Sequence, residues 1–312
     1  MRALVVTNMY PTPARPALGS FVRDQVQALR RIDGIEVDVF AFQPGGTAAY
    51  VKAARDLRRT HRTPRFDVVH AHFGLTAWPA FAARGKAHAV TLHGTDLTHP
   101  RSRKITLAAL PFEDLVATVS EPLATQLPAW ATRKQRAILP AGVAIDRFKP
   151  IPRVEARSKL GLDPNRPYLL FPADPSRPEK RYDRAATLAA HHDVRLLALG
   201  NTDPNEVPLY INAANAVLVP SDRESYGLAV LEALACDVPV LATPVGIAPE
   251  ALNNIPGTHC GPFDESTWQH ALEPHLQATD PRIDGRTRAE RYSTDRMAAN
   301  VVAAWRALTQ PY

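Results

Sequence analysis

The segment AVLVPSDRESYGLAVLEALACDVPVLATPVG, residues 216–246, carries the pattern that decides the fold. It begins with an apolar stretch at 216–220, passes through a polar loop at 221–227 and continues as an apolar helical stretch at 228–236. A second apolar stretch follows at 238–242. Strands that are apolar throughout are typical of parallel sheets covered by helices on both faces. The segment therefore predicts a strand–helix–strand unit of a parallel sheet.

The alternation of strands and helices continues along most of the chain. Helices are predicted at residues 20–32 and 294–308, where apolar residues recur at helical spacing. The remaining predicted strands cover residues 3–7, 37–42, 68–72, 89–93, 115–119, 168–173 and 195–199, with a weaker one at 137–139. A proline-rich polar segment, 148–167, separates the two sets of strands and is interpreted as a linker.

This pattern predicts an α/β fold with two doubly wound, Rossmann-like parallel-sheet domains that face each other across a cleft. The first domain is predicted to cover residues 1–150 and the second residues 151–293. Residues 294–312 are expected to form a C-terminal helix that packs back across the domains.

The composition excludes several other classes of protein. Of the 312 residues, 45% are hydrophobic and 22% are charged, as in a folded globular protein rather than a disordered chain. No stretch approaches the roughly 20 consecutive apolar residues that a membrane-spanning helix needs. Cys236 and Cys260 form no disulfide framework, so we expect two buried, unpaired thiols and a cytoplasmic protein.

Charge is distributed unevenly along the chain. Residues 1–150 hold 21 Lys and Arg against 11 Asp and Glu, a net charge of +10, whereas residues 151–312 hold 16 against 20, a net charge of −4. A basic half points to an anionic partner, such as a phospholipid surface, a phosphorylated acceptor or nucleic acid.

Five basic residues recur at mostly helical spacing within the segment 51–65: Lys52, Arg55, Arg58, Arg59 and Arg62. This segment could bind peripherally to the anionic inner face of a membrane or face a phosphorylated acceptor. A solvated basic helix is the alternative. Aromatic residues that would stack on bases are not interleaved with the cations, which argues against nucleic acid.

Two acidic residues in segment 216–246 mark a candidate ligand site, because ligands bind doubly wound sheets at the carboxyl ends of the strands. Glu224 lies in the predicted loop and Glu232 in the predicted helix, so the two carboxylates can contact different parts of one elongated ligand. Carboxylates accept hydrogen bonds from hydroxyl groups, and Gly227 allows a phosphate to approach the N-terminus of the helix. An anion between two hydroxyl-bearing groups describes a nucleotide-diphosphate sugar.

The stretch ESYGLAVLEALACDVPVLATPVG, residues 224–246, resembles the E-x7-E signature of retaining GT-B glycosyltransferases of the family-four type. The resemblance implies that Glu224 binds hydroxyls of the donor sugar and Glu232 binds the ribose hydroxyls of the nucleotide. It also implies that the backbone between them binds the diphosphate; the residues concerned are Ser225, Tyr226, Gly227 and Leu228. Asp237 and Ile247 depart from the residues that are usual in the family.

A basic turn, FPADPSRPEKRYD at residues 171–183, follows the first predicted strand of the second domain. Arg177 and Lys180 in this turn resemble the Arg…Lys pair of the same family, which implies that they stabilise the charge that develops on the departing diphosphate. Arg181 is interpreted as a solvated neighbour. A basic turn that only faces solvent is the alternative for the whole segment.

The first domain carries weaker matches to the family. The loop TNMYPTPARPALGSFVRDQ, residues 7–25, resembles the glycine-bearing loop that closes over the donor phosphates. This implies a donor-binding role for Gly19, and we expect Ser20 to be the N-cap of the following helix. The segment TLHGTDL, residues 91–97, resembles the H-G-x-D segment and implies that His93 donates a hydrogen bond to the transferred sugar or its phosphate.

His70 and His72 alternate along a predicted strand. We expect their side chains to point to opposite faces, which is a poor arrangement for a metal pair, and interpret both as structural. The sequence contains no Asp-x-Asp, HExxH or CxxC motif. We therefore expect no metal and no other cofactor.

These features lead to one functional hypothesis and two alternatives. The hypothesis is a metal-independent retaining hexosyltransferase that moves a sugar from a nucleotide-diphosphate donor to an acceptor hydroxyl. The resemblance implies a role in the synthesis of cell-surface polysaccharides, glycolipids or natural-product glycosides, with an acceptor that could be phosphorylated or lipid-linked. The alternatives are an epimerase or phosphorylase of the same architecture, and a catalytically silent nucleotide-sugar-binding protein.

Overall fold

The chain forms two compact units, and the computed structural model describes residues 1–61, 65–132 and 135–309. The N-terminal unit consists of Met1–Pro13, Leu18–Gly142 and Thr294–Tyr312. The C-terminal unit consists of Ala14–Ala17 and Val143–Ser293. The main boundary between the units therefore falls between residues 142 and 143, whereas the sequence predicted it at residue 150.

A six-stranded parallel sheet lies at the centre of the N-terminal unit, in the order β2-β1-β3-β4-β5-β6. Its strands are β1 (Arg2–Thr7), β2 (Glu36–Ala41), β3 (Phe66–His72), β4 (Gly85–Leu92), β5 (Leu115–Thr118) and β6 (Gln135–Ile138). All six predicted strands are confirmed, with ends displaced by at most four residues. The middle of β1 is fully buried from Ala3 to Val6, as expected where helices cover both faces of a parallel sheet.

The helices of this unit up to residue 142 are α1 (Ser20–Leu29), α2 (Thr47–Thr60), α3 (Ala77–Ala80), α4 (Thr95–Thr98), α5 (Pro100–Ala109) and α6 (Glu121–Ala124). Helix α1 buries Val22, Val26 and Leu29 in the core, at the spacing that the sequence showed. Relative to the expected cap, the helix begins one residue earlier. Gly19, in a left-handed conformation with φ 65°, is the N-cap, so Ser20 is the first helical residue rather than the cap.

A five-stranded parallel sheet forms the C-terminal unit, in the order β11-β10-β9-β7-β8. Its strands are β7 (Tyr168–Phe171), β8 (Arg195–Ala198), β9 (Ala216–Val219), β10 (Val240–Ala242) and β11 (His259–Cys260). The first four are confirmed predictions, whereas the two-residue β11 carries too short a pattern to recognise. The helices are α7 (Arg153–Lys159), α8 (Tyr182–His191), α9 (Val207–Ala213), α10 (Leu228–Ala235), α11 (Ala248–Ala251), α12 (Glu265–Gln277) and α13 (Arg286–Glu290).

The interpretation of residues 148–167 as a linker is wrong. The segment contains α7, and its Arg153 and Arg157 are 1% and 3% exposed. Arg153 donates hydrogen bonds to the carbonyl oxygens of Thr279, Ala214 and Pro281, and Arg157 donates to that of Ala213. Backbone carbonyls satisfy these guanidinium groups, so polar residues that look like a linker in the sequence form part of the interior.

The last helix, α14 (Thr294–Thr309), belongs to the N-terminal unit. It packs against α1 and places Met297, Val301 and Trp305 in the same core as β1 and β3. The predicted amphipathic helix is confirmed in extent and in its buried face. In the described part of the chain, none of the helices combines the length and the apolar character of a membrane span.

Both sheets are doubly wound, and each has one point where the strand order reverses. In the N-terminal unit this point lies between β1 and β3, and in the C-terminal unit it lies between β7 and β9. Ligands of such sheets bind beyond the carboxyl ends of the two strands on either side of that point. Two loop clusters are therefore expected to be functional.

Candidate active site

The loops that follow β7 and β9 lie side by side at the carboxyl edge of the C-terminal sheet. The loop after β7 ends in a short 3₁₀ turn, Pro178–Lys180, and the loop after β9 leads into α10. The backbone N–H of Asp222 donates to the carbonyl oxygen of Glu179 at 2.9 Å, so the two loops are joined directly. The site residues that the sequence predicted in both segments are thereby brought to one edge of the sheet.

Lys180 and Glu224 form the central ion pair of this edge. The Lys180 ammonium lies 2.7 Å and 2.6 Å from the two carboxylate oxygens of Glu224. The hydroxyl of Ser221 donates to the same carboxylate at 2.8 Å. The two side chains are 14% and 10% exposed, so the pair is largely desolvated and is screened less by water than a surface pair.

The remaining cations of the β7 loop have other partners. Arg177, whose side chain is 54% exposed, forms an ion pair with Glu179 at 2.6 Å. Arg181 contacts Asp183 and Asp222, both of which are exposed acids. Arg177 is thus the more accessible cation, and Lys180 is the one held in place by a predicted site carboxylate.

The turn from Ser225 to Leu228 carries the chain from β9 into α10. Gly227 is the N-cap of α10 and has φ 94°, which a residue with a side chain rarely adopts. Gly246 packs against this turn: a Cβ there would lie 2.3 Å from the carbonyl oxygen of Tyr226. The N-terminus of α10, whose first N–H groups have no partner within the helix, is thus presented at the carboxyl edge of the sheet.

Tyr226 and Glu232 complete the set of predicted donor-binding residues in this unit. The Tyr226 side chain is 9% exposed, and burial raises the pKa of its hydroxyl, so its backbone is what the turn presents. Glu232 lies in α10, half-buried, as the fifth residue of the helix. The loop and helix positions predicted for Glu224 and Glu232 are therefore those that the structure has.

The second cluster lies in the N-terminal unit, at the carboxyl ends of β3 and β4. The imidazole rings of His70 and His72 stack with centroids 4.9 Å apart, and that of His93 stacks on His72 at 5.3 Å. The expectation that His70 and His72 point to opposite faces is wrong, because residues two apart in a strand share a face. The indole of Trp305 in α14 donates to Nδ1 of His70 at 3.0 Å.

Burial keeps all three imidazoles neutral. It lowers the pKa of His70 and His93 well below the usual value for histidine, with the neighbouring rings adding to the effect, and it lowers that of His72 to about 4. Since Trp305 can only donate, Nδ1 of His70 accepts and its proton lies on Nε2, which bonds the Thr91 hydroxyl at 2.8 Å.

The hydrogen bond between His72 and His93 determines what His93 can offer to a ligand. His72 Nδ1 lies 3.1 Å from His93 Nε2, and His72 Nε2 is buried without a partner among the described residues. A buried N–H without a partner is rarer in proteins than a buried acceptor without one. We therefore assign the shared proton to His72 Nδ1, which leaves His93 with a proton on Nδ1 as a donor.

Asp96 fixes the backbone around His93. Its carboxylate accepts hydrogen bonds from the backbone N–H groups of His93, Gly94 and Gly74, at 2.8 to 3.2 Å. Burial raises its pKa, and these three hydrogen bonds oppose the shift. The H-G-x-D segment thus ties the loop after β4 to the loop after β3, which positions the half-buried ring of His93.

Three further sequence predictions concern residues outside these two clusters. Gly19 lies in the loop after β1, where a Cβ would approach the Met9 carbonyl oxygen to 2.1 Å. Cys236 is buried, but Cys260 is exposed, so the expectation of two buried thiols is wrong for Cys260, which lies in the short edge strand β11. Four of the basic residues at 51–65 are exposed and lie on or beside α2, and Arg62 lies outside the described residues.

Sequence reasoning missed Ser221, Gly246 and Trp305. Ser221 is the first residue of the predicted site loop, and its hydroxyl could have been recognised as a local carboxylate partner. Gly246 and Trp305 act through contacts with residues 20 and 235 positions away, for which the sequence gives no signal. Among the described residues, no group of three or more His, Cys, Asp or Glu side chains could hold a metal ion.

Two family models match the chain. Residues 2–142 match the model described as glycosyl transferase 4-like domain, and residues 156–289 match the model described as glycosyl transferases group 1. The curated D-inositol 3-phosphate glycosyltransferase of Segniliparus rotundus is 26% identical over 79% of this chain and 67% of its own length. The enzyme of the same name from Actinosynnema mirum is 27% identical over 84% of this chain and 77% of its own length.

Solved structures show the same fold across both units. Sucrose-phosphate synthase from Thermosynechococcus elongatus superimposes with a TM-score of 0.74 at 18% identity, and the match covers 99% of each chain. The Anabaena protein HepE in complex with UDP and glucose superimposes with a TM-score of 0.72 at 16% identity, over 98% of this chain and 99% of that chain.

Proposed function

We propose that this chain, which belongs to the glycosyltransferases of GT-B fold, transfers a sugar with retention of configuration from a nucleotide-diphosphate donor to an acceptor hydroxyl. The observation that carries the proposal is the Lys180–Glu224 ion pair beside the N-terminus of α10, at the reversal point of the C-terminal sheet. A cation, a carboxylate and a helix N-terminus at one sheet edge match a diphosphate that is linked to a polyol.

The proposal assigns the donor to the C-terminal unit. Glu232 binds the ribose hydroxyls, the backbone of Ser225–Leu228 binds the diphosphate, and Glu224 binds hydroxyls of the sugar. In the N-terminal unit, His93 donates from Nδ1 to the sugar or its phosphate, and the backbone at Gly19 lies against the donor phosphates. The HepE complexes with UDP and UDP-glucose make UDP-glucose the first donor to examine.

In the proposed reaction the acceptor oxygen bonds to the anomeric carbon while the bond from that carbon to the diphosphate oxygen breaks. The departing diphosphate accepts the proton of the acceptor hydroxyl on the same face of the sugar, which retains the configuration. Lys180 and Arg177 stabilise the negative charge that develops on the diphosphate. These cations supply the charge that a metal ion would otherwise provide, so the proposed reaction needs neither a metal nor another cofactor.

The cellular setting and the acceptor are also proposals. Two unpaired cysteines suit a reducing cytoplasm. The acceptor is a hydroxyl compound of a polysaccharide, glycolipid or natural-product pathway.

Two experiments test the function in sequence. Melting temperature is measured with UDP-, GDP-, ADP- and dTDP-glucose, because a ligand that binds only the folded state raises it. The donor that gives a shift is then incubated with the protein alone, and slow release of nucleoside diphosphate and free sugar is expected. Conversion of the donor to an epimer without acceptor would instead identify an epimerase, and binding without any turnover would identify a silent binding protein.

Variants separate the proposed roles. Glu224→Gln should lower donor hydrolysis by about 100-fold or more, and Glu232→Gln should chiefly weaken donor binding. Glu265→Gln, which changes an exposed acid at the start of α12, is the matched control. Wild-type rates and affinities in both site variants would contradict the assignment of the donor site.

A further inference from the structure

An apolar cavity of about 380 Å³ lies between α2, α3 and α5 of the N-terminal unit. Its walls include Tyr50, Val51 and Ala54 from α2, Leu75 and Trp78 from the segment after β3, and Ile105 from α5. The volume is within the range of small-molecule binding sites. The donor-binding residues proposed above are not among those that line it.

The cavity lies at the functional edge of the six-stranded sheet. Leu75 stands three residues after His72, the last residue of β3, and α2 follows the carboxyl end of β2. The hydroxyl of Tyr50 accepts a hydrogen bond from Asn8, the residue that directly follows β1, at 2.9 Å. The walls of the cavity therefore lie at the same carboxyl edge of the sheet as His93, which follows β4.

Exposed apolar side chains are concentrated around this cavity. Val51, Trp78 and Ile105 line it and are 44%, 42% and 45% exposed. Phe112, 62% exposed, lies beside Trp78 with ring centroids 6.4 Å apart. The Trp78 indole is held by a hydrogen bond to the Ile105 carbonyl oxygen at 3.1 Å. Single exposed apolar residues are ordinary, but a contiguous patch around a cavity marks a binding site.

Two of the helices that line the cavity carry a net positive charge. Helix α2 carries Lys52, Arg55, Arg58 and Arg59 against the single acid Asp56, a net charge of +3. Helix α5 carries three basic residues and no acid, also a net charge of +3, and its Lys104 directly precedes Ile105. An occupant with an apolar part and an anionic group complements both features.

We infer that the acceptor is an amphiphilic anion, whose hydrocarbon part binds in this cavity and whose phosphate or similar group lies against the cations of α2 and α5. The inference rests on the proposed function, since it names the class of acceptor for the same reaction. A fully polar acceptor would leave the apolar walls in contact with water. An amphiphile instead buries Val51, Trp78 and Ile105 and places its polar end at the carboxyl edge of the sheet.

Binding of n-decyl phosphate to the whole chain tests the inference. Isothermal titration calorimetry is performed below the concentration at which the amphiphile forms micelles, with inorganic phosphate as the headgroup control. Saturable binding of decyl phosphate, and no saturable binding of inorganic phosphate at the same concentrations, is expected. Val51→Glu should raise the dissociation constant at least about tenfold, because it places a carboxylate in the apolar wall.

The controls separate loss of the site from loss of the fold. Val154→Glu changes a valine that is 59% exposed on α7 of the C-terminal unit, and its affinity for decyl phosphate should equal that of the wild type. Ile105→Gln is the second cavity variant and should weaken binding as Val51→Glu does. An unchanged melting temperature in each variant shows that the fold is intact.

Three results would overturn the inference: equal affinity in both cavity variants and the wild type, equal binding of inorganic phosphate, or binding only to phosphatidylglycerol vesicles and not to monomeric decyl phosphate. The last result would identify a membrane-docking face instead. Donor hydrolysis, measured in parallel, keeps the two proposals apart. A chain that hydrolyses a donor but does not bind decyl phosphate refutes this inference alone, whereas one that binds decyl phosphate but no donor refutes the proposed function.

Discussion

Acidification should destabilise the N-terminal unit through its stacked histidines, and His72→Gln should remove a defined part of that loss. The folded pKa of His72 is about 4, against about 6.5 in an unfolded chain. Its contribution to stability is therefore complete above pH 6.5 and is lost progressively between pH 6.5 and pH 4. Below pH 6.5 the unfolded chain binds a proton that the folded ring cannot accept.

The size of the effect follows from the difference between the two pKa values. Between pH 7 and pH 5, proton binding to His72 in the unfolded chain lowers the free energy of unfolding by about 2 kcal/mol. His70 and His93, whose pKa values are also lowered, add to the loss in the wild type. Since Gln does not titrate, the stability difference between wild type and His72→Gln should shrink by about 2 kcal/mol from pH 7 to pH 5.

Native-state hydrogen exchange of peptides from β3 measures this difference. The method reports the opening free energy of the N-terminal unit without requiring the two units to unfold together. Asp96, whose pKa is raised, titrates in both proteins, so its contribution cancels in the comparison. His270→Gln, which replaces a histidine whose side chain is 90% exposed, is the matched control and is measured at the same pH values.

A stability difference between wild type and His72→Gln that stays constant from pH 7 to pH 5 would refute the reasoning. It would mean that His72 accepts a proton in the folded state, and the description of a neutral, buried stack would then be wrong. The assignment of the shared proton to His72 Nδ1, which depends on that description, would then also be wrong.

Three further predictions concern the C-terminal unit. A double-mutant cycle of Lys180→Met and Glu224→Gln, measured by urea unfolding, should give a coupling free energy of about 2 kcal/mol. Each single variant leaves the other group largely buried without its partner. Additive effects would show that the pair is not formed in solution. Gly246→Ala should destabilise the unit by about 2 kcal/mol or more and abolish the melting-temperature shift with the nucleotide-sugar. The reason is that φ of Gly246 is 61° and a Cβ there would lie 2.3 Å from a carbonyl oxygen of the donor-binding turn. A wild-type response to the donor would contradict that packing. Ellman's reagent should modify one thiol in the native protein and two after denaturation. Cys260 is exposed, whereas burial raises the pKa of Cys236 to about 12. Rapid modification of two thiols in the native protein would contradict the burial of Cys236.

The parallel sheets were predictable because their strands are apolar along their whole length. The run from Ala3 to Val6, for example, is fully buried. The position of Glu224 in a loop and Glu232 in a helix was predictable for a similar reason, since the change of pattern at Gly227 marks the turn. What could be predicted is therefore set by local pattern and by residue type.

The errors concern contacts between distant segments. Arg153 and Arg157 look like linker residues because most of their carbonyl partners lie more than 50 positions away. The ion pair between Lys180 and Glu224 joins residues 44 positions apart, and a sequence pattern cannot show which of several cations takes that partner. The histidine stack was missed for a different reason: the two-residue period of a strand was applied incorrectly.

The apolar cavity was not predictable either. Its wall residues come from α2, from the segment after β3 and from α5, which are distant in the sequence. Their coincidence at one edge of the sheet is a property of the tertiary structure. The basic spacing at 51–65 was recognised in the sequence, but its relation to Trp78 and Ile105 requires the fold.

The place of α14 in the N-terminal unit has a consequence for biosynthesis. The ribosome releases residues 1–142 long before residues 294–309, and the latter supply Met297, Val301 and Trp305 to the core around β1 and β3. Helix α1 covers part of that face of the sheet, but the part that α14 covers stays exposed while residues 143–293 are translated. The unit that begins first along the mRNA is completed last, and until then its exposed face is a substrate for chaperones.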